Sequence, residues 1–226
     1  MTSLAQLFFD AAALGGIYAM AALGIALIFG VMNLVNFAHG EYIAFCVFAL
    51  IVPSTDAAAV MFLGKAPALL LIPLILTIGA VVTGLAALLR KTRIGLEMRA
   101  AAENFTMARL LGVRANVVIA GAFALSGALA AAVALIMVTQ TGVADVRMGG
   151  HIMLVAFIAT VIGGLGSLPG AVAAGFLIGA ASVLLQAFLP LDARPFRDAF
   201  LYTLVIVSLL VRPQGLFVPN SAKPRV

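Results

Sequence analysis

His39 and His151 are the chain's two imidazoles, and each has a carboxylate near it in sequence, Glu41 just after the first and Asp145 shortly before the second. With Ser126, these groups could serve as nucleophile, base or metal ligand. Their spacing sets up none of those chemistries. Sequence alone places no nucleophile against a histidine, and the His-Glu-x-x-His pattern of zinc enzymes is absent. The single cysteine, Cys46, lies in an apolar run, so neither an internal disulfide nor a thiolate cluster can form, and it reads as a small core residue. His151 reads as a satisfied residue at a membrane interface, and Ser126, beside Gly127, as a packing position. No catalytic residue, metal ligand or cofactor is assigned to this chain.

Three constellations remain. The first is Asn33, Asn36, His39, Gly40 and Glu41, a polar run with no Lys or Arg. Such groups at the end of a helix either face interfacial water or line a pathway, and Gly30 and Gly40 would let the backbone unwind there. The second is Gly163, Gly164, Gly166, Pro169 and Gly170. Its spacing is off by one from a dinucleotide-binding fingerprint and no βαβ unit surrounds it, so it reads as a helix break. The third is the water-exposed segment 90–114. Residues 100–111 are mostly good helix formers, Gly112 is a natural terminator, and Ala102, Phe105, Ala108 and Leu111 share one side. A short, partly apolar helix of this kind lies on lipid headgroups or docks in a partner's groove.

The elements that position these groups are membrane helices. Of 226 residues, 65% are hydrophobic and 9% charged, and the mean hydropathy is +1.24. Soluble domains carry roughly 25% charged residues. The length leaves no room for a soluble catalytic domain beside the spans. Charge-free stretches place spans at 11–32, 42–63, 66–89 and 116–138, with Pro53 and Asp56 interrupting the second. A short apolar segment, 152–162, leads into the break, and 171–189 and 196–211 follow, with Arg197 and Arg212 snorkelling from the ends of the last. The small pairs Gly175 with Gly179 and Ala128 with Ala132 would let helices approach closely. The N-terminal stretch reads as a span rather than a cleaved signal. The expected fold is an all-α, polytopic membrane bundle of six to seven segments in a single domain, 1–226, with a broken or re-entrant hairpin at 152–170.

Charge orients this bundle. Nine of the 13 Lys and Arg residues fall in 90–114 and in the C-terminal tail, which makes that side cytoplasmic, with the N-terminus outside and the C-terminus inside. The net charge of +5 is explained by this placement and needs no nucleic-acid partner.

The run from Arg99 to Gly112, Arg-Ala-Ala-Ala-Glu-Asn-Phe-Thr-Met-Ala-Arg-Leu-Leu-Gly, resembles the cytoplasmic loop of permease subunits of branched-chain amino acid ABC importers, the LivH-like branch above all. Three more segments are similar to that family: Gly-Val-Met-Asn-Leu-Val-Asn-Phe-Ala-His-Gly-Glu at 30–41, Val-Ile-Gly-Gly-Leu-Gly-Ser-Leu-Pro-Gly at 161–170, and Arg-Pro-Gln-Gly-Leu-Phe at 212–217. The resemblance implies a permease subunit in a bacterial inner membrane, paired with a second homologous permease, two cytoplasmic ATPase subunits and an extracytoplasmic solute-binding protein. It implies that Arg99, Ala102, Glu103, Ala108, Arg109, Leu111 and Gly112 couple to the ATPase. ATP and Mg²⁺ would reside in that partner, since the phosphate loop Gly-x4-Gly-Lys-Ser/Thr is absent here. Related permeases carry urea, short amides and other small solutes. The chain departs from the family in two ways: Val155 stands where relatives carry a Lys, and the region near 51–75 is shorter by about two spans. A secondary transporter, a channel or a deleted copy that inserts without transporting are the alternatives.

Overall fold

The computed structural model describes residues 4–51, 71–141, 145, 147–212 and 215. Among them the regular elements are all helical: α1 (Leu4–Met32), α2 (His39–Ile51), α3 (Leu71–Lys91), α4 (Arg93–Glu103), α5 (Phe105–Leu110), α6 (Ala115–Thr141), α7 (Met148–Gly163), α8 (Leu168–Phe188), a 3-10 helix (Leu191–Phe196) and α9 (Arg197–Val211). The expected helical membrane bundle is present. The helices α1, α6 and α8 are long and apolar enough to cross a bilayer, and α7 is a shorter apolar helix. Pro53 and Asp56, with the rest of 52–70, lie outside the described residues.

After Asp10, α1 carries no charge and is apolar around its whole circumference, so it has no face suited to water. Residues 15–28 are buried without interruption. This makes α1 the axis of the bundle: α8, α6, α7 and α3 pack around it, α2 lies against α6 and α7, and α9 lies against α8 and α7. Contact with α8 is backbone to backbone. A methyl at Gly175 would stand 2.5 Å from the Cα of Ala19, and one at Gly179 would overlap the backbone of Gly15. Buried Thr160 on α7 adds a polar link, donating to the carbonyls of Ala156 at 2.8 Å and Ala22 at 3.2 Å.

The other expected small pair fails. Ala128 is exposed and Ala132 half-buried, whereas Leu129, Ala130 and Val133 are buried. The inward stripe of α6 starts one residue later, and a small side chain brings helices together only where it faces one.

At one end of the bundle the last turn of α1, the end of α3, α4 and the turn between α7 and α8 converge. At the other end the start of α1 meets the ends of α6 and α8 and the 3-10 helix. The turn at 164–167 therefore sits at the end that carries the basic loop. The hairpin is a broken pair of helices whose second arm, α8, lines the cavity at each end of the bundle. Its first arm begins at Met148 rather than near 152, which puts His151 inside α7, where it is exposed. Cys46 is half-buried rather than a core residue.

Candidate translocation and coupling site

The polar run at 33–41 interrupts the helix as expected, by other residues than expected. Gly30 is inside α1 and Gly40 inside α2. The break is made by Asn33, whose φ of 54° is a left-handed conformation that Asn tolerates better than most residues and that terminates a helix. Asn36 then starts the next one, its Oδ1 accepting from the amide of Ala38 at 3.1 Å. Both roles follow from side chains that compete locally with the helix for backbone hydrogen bonds.

This interruption climbs back into the bundle. His39, completely buried, lies with its ring over Gly24 of α1, where a methyl would collide with it. Gly24 is roughly 12 Å along α1 from its end at 1.5 Å per residue. Phe37 packs against Phe157 of α7 with ring centroids 5.5 Å apart and the ring planes tilted by 51°. Gly40 packs on Gly149 of α7, a methyl on Gly40 standing 2.8 Å from that carbonyl oxygen. Non-helical backbone at membrane depth is tolerated only where protein buries it or a watery cavity lines it. Two buried polar atoms of this segment, Nδ2 of Asn36 and Nε2 of His39, have no hydrogen-bond partner among the described residues. Glu41, in the first turn of α2, is exposed, and so is Phe45 one turn on.

Spacing did not show that Nδ1 of His39 stands 2.9 Å from Oγ of Ser126, both buried. Ser126 is thus a partner as well as a packing residue. The pair has the elements of a nucleophile and a base and lacks what would make them work: among the described residues no acid orients the ring, since Nε2 faces Gly24, and neither residue lines the cavities at the two ends of the bundle. It ties α2 to α6.

The basic loop is two helices, not the single one expected over 100–111. Asn104 has extended backbone; its amide donates to the carbonyl of Ala100 at 3.1 Å, closing α4, and its Oδ1 accepts from the amide of Met107 at 3.0 Å, opening α5. An Asn in a helical context prefers such a cap to an interior position. The break redirects the expected apolar face. Ala101 and Ala108 are buried and Phe105 is half-buried, while Ala102 is exposed and Leu110 and Leu111 are 77% and 85% exposed. Gly112, at φ 89°, closes α5 with paired bonds, its own amide to Arg109 and that of Val113 to Ala108. Thr92 caps α4, accepting from Gly95 at 3.1 Å. Arg99 reaches back to the carbonyl of Arg90 at 3.5 Å, and Glu103 and Arg109 are exposed.

The glycine-rich break is built the same way. Gly164 and Gly166 have φ of 98° and 86°, a region that favours glycine. Oγ of Ser167 accepts from the amide of Gly170 at 3.2 Å and caps α8, with Pro169 in the first turn, where a missing N–H costs nothing. Gly163 and Gly170 face each other so closely that a side chain on either would strike the other's backbone.

A cavity of about 570 Å³ joins the three constellations: Gly30 of α1 with Asn33 just beyond its end, Arg99, Ala102 and Glu103 of α4, and Gly166 of the turn all line it. Of the five polar-run residues, only Asn33 reaches this cavity; His39 and Gly40 are locked into helix contacts higher up. Among the described residues no group of three His, Cys, Asp or Glu side chains stands together to hold a metal ion.

The family described as branched-chain amino acid transport system / permease component matches residues 53–209 by its sequence profile. The chain belongs to that family. It is 28% identical, over 285 aligned positions, to the high-affinity branched-chain amino acid transport system permease protein BraD of Pseudomonas aeruginosa, with 89% of this chain and 92% of that protein covered. It is 37% identical over 128 residues to the permease protein LivH of Escherichia coli K12, covering 57% of this chain and 41% of LivH. The probable LivH of Methanocaldococcus jannaschii is 30% identical over 140 residues, with 59% and 43% covered. The alignment to BraD is longer than the 226 residues of this chain, so it opens gaps within it, as a permease shortened internally requires. No solved structure matches. Membership in a permease family places the chain among transport subunits rather than enzymes.

Proposed function

We propose that this chain is the transmembrane permease subunit of an ATP-driven importer for branched-chain amino acids or related small solutes, set in a bacterial inner membrane with its N-terminus outside and its C-terminus inside. The observation that carries this reading is the helix break at 33–41. A carboxylate, Glu41, stands exposed beside non-helical backbone at membrane depth, and a charge there is costly unless it meets water or a partner. The face of α2 bearing Glu41 and Phe45 lines the solute pathway, opposite a second homologous permease. An extracytoplasmic binding protein delivers the solute, so much of the specificity lies outside this chain.

Two cytoplasmic ATPase subunits, which hold the ATP and Mg²⁺, act on α4 and α5. Leu110 and Leu111 enter a groove while Arg99, Glu103 and Arg109 make charge-assisted hydrogen bonds at its rim. A displacement of α4 alters the cavity it shares with the end of α1 and the turn at 164–167, and so rocks the pathway helices between inward and outward access. Binding-protein-dependent, ATP-dependent uptake in proteoliposomes containing the co-purified ATPases tests this. A carrier driven by ions would work without the ATPases, and that result would sink the proposal. The gaps in the BraD alignment favour one competing reading, a shortened copy that assembles without transporting; complex formation with no uptake by the wild-type chain would establish it.

A further inference from the structure

The chain turns a tight corner where α3 gives way to α4. Thr92 makes it: the hydroxyl donates to the carbonyl of Leu88 at 2.7 Å and accepts from the amide of Gly95 at 3.1 Å. Inside the corner, Gly95 lies so close to Leu89 that a methyl on it would overlap the Leu89 backbone. Leu89 and Gly95 are buried, whereas Arg90, Lys91 and Arg93, on the outside, are all exposed. The one ion pair among the described residues is Arg197 with Asp198 at 2.9 Å, so among those residues no carboxylate neutralises the three cations. The nearest acid in sequence, Glu97, is half-buried one turn further along α4.

This corner sits at the edge of the membrane. Met98 and Ile94 of α4 rest on Gly121, where a methyl would stand 2.8 Å from Cε of the first and 3.6 Å from Cγ2 of the second. Gly121 is about 9 Å along α6 from its start, at 1.5 Å per residue, in a helix long and apolar enough to cross a bilayer. The first turns of α4 therefore lie beside the first apolar turns of a span. On their free side Ile94 and Leu96 are 47% and 61% exposed. Where headgroups meet acyl chains, lipid covers apolar side chains of this kind and anionic headgroups attract Lys and Arg. Two arginines and a lysine around one corner match a phosphodiester, which a guanidinium fork takes with two hydrogen bonds.

We propose that this corner is a binding site for an anionic phospholipid: Arg90, Lys91 and Arg93 hold the phosphate, and Ile94 and Leu96 lie against the acyl chains. The residues assigned to the ATPase, Arg99 and those from Glu103 to Leu111, follow it along the chain. One basic loop thus holds lipid at its start and the motor subunit further on. The site does not depend on which solute the chain carries.

The test is electron spin resonance on the full chain in phosphatidylcholine vesicles, with spin-labelled phosphatidylglycerol or spin-labelled phosphatidylcholine of the same acyl chains. The wild-type chain should immobilise the anionic lipid at least about fivefold more strongly than the zwitterionic one. Equal association of the two lipids overturns the proposal and needs no variant to fold. Lys91→Gln/Arg93→Gln should remove most of the preference, while Arg114→Gln/Arg212→Gln, which removes as much charge from the same side, should keep it. Equal losses in the two pairs would mean a diffuse basic field and no site. Leu96→Ser should weaken the anionic lipid with every cation in place. Displacement of the lipid by glycerol phosphate as readily as by unlabelled phosphatidylglycerol would overturn the lipid assignment in favour of a free phosphate. An unchanged lipid preference in Lys91→Gln/Arg93→Gln, with loss of the co-purifying ATPase, would give the corner to that partner and overturn the proposal as well.

Discussion

Nδ1 of His39 lies 2.9 Å from Oγ of Ser126, 87 residues further along the chain, and the same ring rests on Gly24 of α1. One side chain at the start of α2 therefore fixes the relation of α1, α2 and α6. Ser126→Ala leaves Nδ1 without its partner in a buried site, and an orphaned buried polar group costs about 1–3 kcal/mol. A lowered unfolding midpoint in detergent is expected; a midpoint equal to wild type would show that the bond contributes nothing.

Gly24→Ala puts a methyl into the imidazole. Overpacking of this kind costs about 1–3 kcal/mol. In the Gly24→Ala/His39→Ala double variant the clash is gone, so the combined loss of stability should be smaller than the sum of the single losses. Additive losses would place the two residues out of contact.

Glu41→Gln keeps shape and removes charge at an exposed position, so assembly with the ATPases should be unchanged while uptake falls at least tenfold. His39→Ala should reduce uptake as well. Normal transport in both variants, with normal assembly, would remove the 33–41 break from the pathway.

On the cytoplasmic side, Leu111→Asp adds a charge to a side chain that is 85% exposed. Insertion into the membrane should be normal and co-purification of the ATPase lost. Asn104→Ala removes a cap worth about 1 kcal/mol and lets α4 and α5 run together, so ATP hydrolysis should continue with less uptake per ATP. Retention of the ATPase by Leu111→Asp would move the docking surface elsewhere.

Much of this was legible in the sequence. Long charge-free runs mark helices because a bilayer admits little else, and Gly163 to Gly170 mark a break because Pro169 and paired glycines have few other uses inside a membrane. Where sequence and structure part, the local hydrogen-bonding of an Asn and the direction in which a side chain faces account for most of the difference. The neighbours of Asn104 favour one continuous helix, yet its own amide caps the next one, and beyond that break Leu111 faces outward. Ala128 and Ala132 have the right size at the wrong rotation. The His39 and Ser126 pair left no sequence signal, because partners so far apart along the chain meet only through the packing of three helices.

The place of α1 at the axis carries a consequence for biogenesis. It leaves the ribosome well before α8, yet the backbone surface it offers at Gly15 and Ala19 is matched by Gly179 and Gly175 of that later helix. Its apolar circumference lets it wait in lipid as a lone helix, while its bare backbone patch stays uncovered through most of synthesis. Correct burial of that patch thus waits for synthesis of α8, and a membrane protease that samples unpaired helices would discriminate by it between copies that have acquired α8 and copies cut short before it.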